Sequence, residues 1–445
     1  MLEALNTLLW GPGTLALILG TGAWLTLRTG AFPQRNLGRA LALSLGREAR
    51  RKGRGGVSPF GSLMTALAST VGTGNIVGVA AALVSGGPGA LVWMELAALL
   101  GLAAKFAECM LAVKYRRVRR DGTRWGGPMA VMEARLGPAG TVLGRFYALF
   151  ALLMAFAMGA MAQSGALADT FSAAFALPRW RVGLVTAVLA LAILLGGIRR
   201  IAEISTVLVP VMALLYLGGG LAVILGNLRR LPEAVTLMLR CAVAPEAALG
   251  GALGIVTRRE ALRWGVARSV FSNEAGLGSA AITAACADTE DPVKQGLISM
   301  TGVFFDTMVI CAVTGLAICC SGTLGAADGN GRPLTGAALT LRAFETVLGP
   351  LAPWLIGVAL GLFAFTSVLG CAVQAETTAS YLLGPEAVRP CRVLYGLAVF
   401  AGAVIPMATV LQLADLANAL MAFPNLVCLL LLSGEIAGEC RKKKR

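Results

Sequence analysis

The chain has 445 residues, of which 57% are hydrophobic and only 14% charged, and its mean hydropathy is +0.77. This composition excludes a water-soluble domain with an ordinary polar surface. The net charge of +15 resides in short loops between apolar runs, with no basic stretch interleaved with aromatic residues. Orientation in a membrane explains this charge better than nucleic-acid binding does.

Apolar runs of about 17 to 25 residues recur along the whole chain, and each is long enough to cross a hydrocarbon layer of about 30 Å as a helix. A β-barrel would instead show short segments of alternating polarity. The runs therefore predict an all-α integral membrane protein. We predict eleven spans, centred near residues 18, 72, 101, 157, 189, 214, 274, 306, 362, 398 and 420.

The basic residues fall in loops that the eleven spans would place on one side of the membrane. They cluster at residues 28–58, 114–124, 199–200, 389–392 and 441–445. Because loops rich in Lys and Arg stay in the cytoplasm, we expect a multi-pass plasma (inner) membrane protein with its N-terminus outside and its C-terminus inside. The arginines between residues 229 and 268 do not follow this rule.

The second predicted span contains a helix-breaking stretch, VGTGNIVGVA, at residues 71–80. Glycine inside a helix costs about 1 kcal/mol relative to alanine, so Gly72 and Gly74 favour local unwinding. Such backbone must be buried in protein or line a wet cavity. The break predicts free carbonyl oxygens for a cation and a half-helix N-terminus, near Asn75, for a carboxylate. Close helix packing at the glycines is the alternative.

A second break, SVFSNEAGLGSA at residues 269–280, mirrors the first. Gly72 and Gly74 are separated from Gly276 and Gly278 by 204 residues, and the same offset superposes the later spans. The chain is therefore predicted to contain two repeats of five helices, which are inverted because five is odd. Matching breaks in inverted repeats mark the midplane substrate site of secondary transporters.

The repeat sets the predicted division of the chain. It gives an extra N-terminal helix at residues 1–30, a basic cytoplasmic linker at 31–58, a first repeat at 59–226, a second repeat at 227–435 and a basic cytoplasmic tail at 436–445. The predicted fold is an inverted repeat of five plus five helices with one helix added in front.

Polar residues surround the second break, among them Ser272, Asn273 and Glu274. A carboxylate at membrane depth is costly, so Glu274 is a candidate coupling residue. A helix stop, with Glu274 paired to Arg268 or Arg263, is the alternative interpretation.

Four further polar residues lie within predicted spans. Asp306 is a second candidate for coupling, or it satisfies a backbone break. Gln163 suits an amino or carboxyl group of a substrate and equally an interhelical hydrogen bond. Thr366 and Ser367 lie in the eighth helix of the ten, where their hydroxyls would complete a cation site with carbonyls of the first break. Hydroxyls also bond back to the preceding turn.

Two other residue sets have simpler interpretations. Lys105 and Glu108, three residues apart, predict an ion pair near the cytoplasmic end of a helix. The ten cysteines are scattered through apolar runs and the chain has no histidine, so neither a metal cluster nor a cofactor is predicted.

Several stretches resemble the alanine or glycine:cation (sodium) symporter family, over about residues 55 to 435. They are TALASTVGTGNIVGVAAALVSGGPGALVWMELAALLGLAAKFAECMLAVKYR, GVARSVFSNEAGLGSA, VFFDT and ALMAFPN. The resemblance implies a leucine-transporter-like fold and sodium-coupled symport of small neutral amino acids into the cell by alternating access. The implied partners are an amino acid, sodium as coupling ion and the lipid bilayer, without nucleic acid.

The resemblance also implies roles for particular residues. Matching motifs place five residues in the substrate site: Gly74, Asn75, Gln163, Phe271 and Asn273. The breaks and the pocket wall add four more: Thr73, Ser272, Gly276 and Cys371. By analogy with the fold, the sodium site contains Gly72, Thr366 and Ser367, with Glu274 and Asp306 as coupling candidates.

The chain departs from the family at Cys371, in GCAVQAE, where a tryptophan over the substrate is typical. Replacing indole with a thiol opens on the order of a hundred Å³, since each aromatic side chain buries roughly 150 to 250 Å². We therefore expect side chains somewhat larger than that of alanine to fit.

Two other functions remain open from the sequence. One is proton-coupled amino-acid transport through Glu274 or Asp306. The other is a membrane receptor that binds an amino acid without transporting it. An enzyme is not predicted, because the chain shows no constellation of nucleophile, base or metal ligands.

Overall fold

A computed structural model describes residues 9–51, 57–118, 122–243, 246–248, 255–329, 331–405 and 407–443. Parts of the predicted N-terminal helix (1–8), linker (52–56) and tail (444–445) lie outside the described residues. Most of the described chain is helical, and short strands form two antiparallel hairpins.

The first half of the described chain contains ten α-helices and one hairpin. They are α1 (Pro12–Thr29), α2 (Phe32–Arg35), α3 (Leu37–Leu45), α4 (Pro59–Thr70), α5 (Val77–Gly86), α6 (Gly89–Lys114), β1 (Arg117–Val118), β2 (Arg124–Trp125), α7 (Pro128–Met154), α8 (Gln163–Phe175), α9 (Arg179–Leu194) and α10 (Gly197–Gly226). Turns of 3₁₀-helix occupy Arg47–Arg50 and Thr73–Asn75.

The second half of the described chain contains ten more α-helices and the other hairpin. They are α11 (Leu231–Val243), β3 (Glu246–Ala248), β4 (Ile255–Thr257), α12 (Arg258–Asn273), α13 (Ser279–Ala285), α14 (Pro292–Val303), α15 (Ala312–Ser321), α16 (Gly336–Leu348), α17 (Ala352–Leu383), α18 (Val388–Val404), α19 (Met407–Leu431) and α20 (Ser433–Lys442). Turns of 3₁₀-helix occupy Leu228–Arg230, Gly349–Leu351 and Pro385–Ala387.

The described residues include several helices that can span a membrane. Seven helical stretches are long and apolar enough to cross a membrane, and an eighth is the pair α4 and α5, bent by 62° at its break. The three remaining predicted centres, at 18, 189 and 274, coincide with α1, α9 and the interruption between α12 and α13. The all-α membrane architecture is confirmed, whereas the count of eleven spans and the inverted repeat stay predictions.

Local sequence signals explain where several helices begin. Ser58 accepts a hydrogen bond from the Gly61 amide at the start of α4, which then opens with a proline. Thr257 and Glu260 form a reciprocal capping box at the start of α12. Asp291 caps α14 through the amides of the two residues that follow its proline.

Two helices contain π-helical segments, which have a wider turn than the α-helix and often occur at functional sites. The first, Ala155–Ala162, joins α7 to α8 and ends next to Gln163. The second, Phe304–Cys311, joins α14 to α15 and contains Asp306. The second segment contains no glycine or proline, so the sequence gives no local signal for it.

The long helix α17 crosses α4 at very close range. A Cβ atom added to Gly370 would lie 2.4 Å from the backbone nitrogen of Ser69, so glycine is required at this crossing. Thr366 and Ser367 lie one turn earlier on α17. The crossing therefore places these hydroxyl residues beside the end of α4.

Contacts at one end of the molecule connect the chain before α4 to the chain after α13. Val57 and Ala287 form a parallel bridge, and the amide of Asp288 donates to the Val57 carbonyl at 2.7 Å. Arg116 donates to the carbonyls of Ala287 and Thr289 at 2.6 and 2.5 Å. This end of the molecule is closed, and we refer to it as the latched face.

The predicted basic loops gather at the latched face. Arg124, Arg199 and Arg392 line one cleft of about 270 Å³ there. Lys443, in the tail, donates to Asp291 at 2.6 Å. Four of the five predicted basic clusters thus share one end of the molecule, while its cytoplasmic orientation stays a prediction.

Candidate functional site

The first break separates α4 from α5 with a short stretch of non-α-helical backbone. Gly72 is extended (φ −139°, ψ −156°), and its amide donates to the Asn75 Oδ1 atom at 3.0 Å. One 3₁₀ turn, Thr73–Asn75, follows before α5 begins. The interruption predicted at Gly72 and Gly74 is present, and Asn75 stabilises it from within.

The Ser367 hydroxyl of α17 reaches this break, whereas the neighbouring Thr366 hydroxyl bonds back to α17 and contacts the Met212 sulfur on α10 at 3.3 Å. Ser367 donates to the Val71 carbonyl at 3.5 Å, and a Cβ added to Gly72 would lie 2.8 Å from its Oγ. Thr366 donates to the carbonyls of Leu362 and Phe363 at 3.0 and 3.1 Å. A hydroxyl that donates its proton to a carbonyl keeps its lone pairs for a cation. Such neutral oxygens are the ligands that hard cations prefer.

The second break lies between α12 and α13. Glu274 ends α12 in the left-handed conformation (φ 53°), and Gly276 and Gly278 follow at φ 89° and 81°. The Glu274 carboxylate accepts a hydrogen bond from Ser279, and no described arginine pairs with it. The helix-stop interpretation of Glu274 is thus correct for its backbone, although neither Arg263 nor Arg268 is its partner.

A buried ion pair on α6 holds the second break in place. Lys105 and Glu108 are 3.4 Å apart and each is 2% exposed. The Glu108 Oε2 atom accepts from the amides of Gly276 and Gly278 at 3.2 and 3.1 Å, and Lys105 donates to the Glu274 carbonyl at 3.1 Å. The predicted ion pair is confirmed. Its contacts with the break were not predicted.

Asn425, in the ALMAFPN motif of α19, completes this arrangement. Its side-chain amide donates to Glu108 Oε2 at 3.2 Å and to the Gly276 carbonyl at 2.9 Å. The backbone of the second break therefore has side-chain partners from α6 and α19. We call Lys105, Glu108 and Asn425 the break clamp.

Asp306 connects the two breaks from its π-helical segment. Its carboxylate accepts from Asn75 at 2.8 Å, from Ser272 at 2.6 Å and from Thr307 at 3.0 Å. Asn273 donates to Thr307 at 3.0 Å. Asp306 thus satisfies groups at both breaks, as one of the two sequence interpretations proposed.

A cavity of about 340 Å³ opens next to the first break, on the side away from the latched face. Three predicted substrate residues line it: Thr73, Gly74 and Phe271. The rest of the lining is mostly apolar: Val77, Gly78, Ala81, Met158, Ala162, Ala166, Asp169, Thr170, Arg268, Ala337, Leu360 and Leu411. We call this space the central cavity.

The other predicted substrate residues do not line the central cavity. Asn75, Ser272 and Asn273 lie behind it in the Asp306 network, and the backbone of Gly276 is bound by the break clamp. One more residue, Gln163, sits directly behind the cavity wall, 3.4 Å from the Thr73 hydroxyl.

Cys371 packs away from the central cavity, against the first π-helical segment. It is 2% exposed, and a Cβ added to Gly159 would lie 2.2 Å from the Cys371 Cβ and 3.0 Å from the Tyr395 hydroxyl. The structure therefore does not bring Cys371 together with Thr73 and Phe271.

Arg268 is a cavity residue that sequence reasoning did not assign to the site. It lies one turn before Phe271 on α12, and its guanidinium carbon is 5.3 Å from the Phe271 ring centroid. The signal was present in the sequence, because residues three apart share a helix face. The unexplained position of Arg268 within a predicted span was the other indication.

The sequence matches the model of the sodium:alanine symporter family over residues 1–444. The chain belongs to this family. This membership and the multi-pass helical architecture identify the protein as a secondary amino-acid transporter and not as an enzyme. The sequence resemblance to a cation symporter family is confirmed.

Curated relatives of this family member cover nearly its whole length. The sodium/alanine symporter AgcS of Methanococcus maripaludis is 41% identical over 443 residues, which are 99% of this chain and 96% of that protein. An uncharacterized transporter of Haemophilus influenzae is 43% identical over 99% of this chain and 95% of its own. The probable sodium/glutamine symporter GlnT of Bacillus subtilis is 36% identical, over 96% of this chain and 87% of its own length.

Solved structures with the same fold include MhsT in complex with L-phenylalanine. It superposes with a TM-score of 0.60 at 14% identity, over 85% of this family member and 90% of MhsT. A manganese transporter of Eremococcus coleocola gives a TM-score of 0.51 at 14% identity, over 83% of this chain and 76% of its own. At these identities the likeness concerns the fold alone, and it confirms the leucine-transporter-like class.

Proposed function

We propose that the protein couples the uptake of small neutral amino acids to sodium. One observation carries the proposal: the Ser367 hydroxyl and the Val71 carbonyl lie 3.5 Å apart at the unwound end of α4, with Thr366 in the adjacent position on α17. Neutral oxygens at the point where a helix is broken suit a monovalent cation, and a positively charged side chain among them would exclude it. We therefore assign sodium to Gly72, Thr366 and Ser367.

The amino acid is assigned to the central cavity. Thr73, Gly74 and Phe271 line it, and α5 starts there with the positive end of its dipole near the break. Apolar side chains such as Val77 and Leu360 form much of the remaining wall. Such a wall favours a neutral substrate side chain, because a charge placed there would lose its hydration.

The remaining predicted site residues are proposed to position this site. Asn75, Ser272 and Asn273 hold the two breaks through Asp306, and Gln163 holds Thr73. In the second break, Gly276 supplies backbone to the clamp. Cys371 has no part in the proposed site.

Alternating access requires the two broken helices to open each face in turn. In this structure the latched face is closed and the central cavity opens towards the other face. The predicted five-helix repeats, 59–226 and 227–435, are proposed to move relative to each other around the fixed breaks. With the basic loops in the cytoplasm, the open face is the outer one.

Uptake into proteoliposomes tests the proposal. Labelled alanine should accumulate when a sodium gradient is imposed at equal pH, and a pH gradient alone should drive none. Competition by glycine, alanine, serine, valine, leucine, methionine and glutamine would rank the substrates. Accumulation that follows only the pH gradient would establish proton coupling and overturn the sodium assignment.

Variants of α17 link the ion to its proposed site. Thr366→Val combined with Ser367→Ala should raise the sodium concentration for half-maximal uptake more than it weakens substrate affinity at saturating sodium, because the ion loses ligands directly and the substrate is affected through linkage. Thr378→Val on the same helix, whose hydroxyl bonds back to Gln374, is the matched control. Unchanged sodium activation in the double variant would remove these residues from the ion site.

Proton coupling through Asp306 has weaker support from the geometry. The carboxylate accepts three hydrogen bonds, from Asn75, Ser272 and Thr307, as an ionised acceptor does. A carboxyl group that carried a proton through the transport cycle would have to release one of these donors. Asp306→Asn should therefore disturb both breaks at any pH, without creating or removing a pH-gradient response.

A further inference from the structure

A second, smaller cavity lies beyond the central cavity on the open side. It has a volume of about 190 Å³, far more than a single water molecule needs. Its lining consists of Trp10, Arg263, Trp264, Ala267, Arg268, Phe271 and Asp415. We call it the outer cavity.

Three charged residues line the outer cavity: Arg263, which is exposed, and the partly buried Arg268 and Asp415, which do not touch each other. Arg268 and Asp415 both line it, yet among the described residues no ion pair within 4.0 Å joins them, and neither side-chain charge has a hydrogen-bond partner there. Both residues are only partly exposed. Facing opposite charges with a gap between them favour a ligand that bears both signs.

Rigid neighbours hold the two charged groups in position. The Arg268 guanidinium lies over the rings of Trp264 and Phe271, at 5.6 and 5.3 Å from their centroids. Trp10 donates its indole N–H to the Asp415 carbonyl at 2.9 Å and so fixes the backbone of that residue. The aromatic side chains also restrict the water that competes for the charges.

We propose that the outer cavity is a binding site for a zwitterionic α-amino acid. The planar guanidinium of Arg268 offers paired N–H donors to the α-carboxylate, and the Asp415 carboxylate accepts from the α-ammonium group. The cavity volume of about 190 Å³ accommodates a small neutral side chain in addition. This inference rests on the proposed function, since it adds an entry site for the same substrate.

Arg268 also connects the two cavities. It lines both the outer and the central cavity, as does Phe271, its neighbour by one helical turn. A carboxylate bound to one edge of the guanidinium can move to the other edge without losing its charge partner. The outer site therefore collects the amino acid before it reaches Thr73 and Gly74.

Binding stoichiometry tests the outer site on the full chain in lipid nanodiscs. Equilibrium dialysis with labelled alanine at saturating sodium should give two bound molecules per wild-type chain and one for Asp415→Asn, with the affinity of the remaining site within about twofold. Arg259→Gln, an exposed residue of α12 outside both cavities, should keep two. Propionate lacks the ammonium group and alaninamide lacks the carboxylate. Neither should displace alanine from the outer site.

The possible results distinguish failure of the outer site from failure of the proposed sodium-coupled transport. One alanine per wild-type chain, or two in a folded Asp415→Asn variant, overturns the outer site and leaves symport standing. No sodium-dependent alanine binding at all overturns the proposed function. If Asp415→Asn does not fold, Asp415→Ser supplies the same test, because Asp415 lines the outer cavity and not the central one. Retention of both sites in Asp415→Ser counts against the outer site.

Discussion

Two glycines of the first break, only two residues apart, face different surroundings. A Cβ on Gly72 would meet Ser367 Oγ at 2.8 Å, whereas a Cβ on Gly74 would meet Phe271 at 3.7 Å, an ordinary contact. Gly72 is extended, at a φ that alanine also adopts, so the contact and not the backbone limits substitution there. The pair separates the ion site from the substrate site.

Gly72→Ala should impair sodium activation, because overpacking a rigid site costs about 1 to 3 kcal/mol, or roughly a fivefold to hundredfold loss of affinity. Gly74→Ala should leave sodium activation unchanged and discriminate against larger substrates, since its methyl group enters the central cavity. Sodium-activation curves and a competition series measure the two effects. Equal sodium curves for both variants would contradict the assignment of Gly72.

Cys371→Trp tests a residue that the sequence placed at the substrate. Because Cys371 packs against Gly159, an indole there would push α17 away from the π-helical segment, so we expect loss of folded protein and of transport. Cys371→Ala should retain both. Size-exclusion profiles and uptake would show the difference. A folded tryptophan variant with preference shifted towards glycine and alanine would restore the sequence prediction.

The candidate site was predictable where its signal is local in sequence. Gly72 and Gly278 predict the two helix breaks because glycine is one of the poorest helix formers. The direction of Cys371 depends instead on how α17 rotates against its neighbours, which no periodicity in a uniformly apolar helix reveals. In the sequence, Arg268 was one of the arginines that do not follow the positive-inside rule. Only the packing of α12 shows that its side chain lines two cavities.

At the scale of helices, the break clamp connects α6, α12 and α19. Removing one partner of a buried ion pair leaves an uncompensated charge, which typically costs about 3 to 5 kcal/mol. Glu108→Gln should therefore lower the thermal stability of the protein and uncouple the second break, with loss of uptake. Glu439→Gln removes an exposed pair with Lys114, on the same α6, and should cost about 1 kcal/mol or less.

Thermal melting in detergent and uptake in liposomes compare these two variants. A Glu108→Gln protein with unchanged melting and full uptake would show that the clamp does not hold the break. A double variant, Lys105→Met with Glu108→Leu, should recover part of the stability, because the pair is then replaced by apolar groups of similar volume. Its uptake should stay low, since the amides of Gly276 and Gly278 remain without their acceptor.

Most helices could be predicted from hydropathy because membrane depth demands long apolar runs. The exceptions are instructive. α16 is amphipathic and only 13 residues long, so it has no span-like signal. The π-helical segments, including Phe304–Cys311, arise from how neighbouring helices pack, and their sequences look like ordinary helix.

For the molecule as a whole, orientation is the prediction that labelling can check. A tag after residue 445 and a tag in the loop at 116–124 should both react from the cytoplasm, because both adjoin dense Lys and Arg at the end of a span. Membrane-impermeant reagents on intact cells and on inverted vesicles measure this. Reaction of either tag from outside would reverse the assignment of the latched face.

The contacts at the latched face also oppose opening of the protein to the compartment on that side when no ligand is bound. Opening it must separate, among other contacts, the Asp288 amide from Val57 and Arg116 from two carbonyls. Each bond contributes about 1 kcal/mol net, so the loss of one shifts the equilibrium towards the opened face by roughly fivefold. Uncoupled flux through the opened face should therefore rise several-fold in Arg116→Gln.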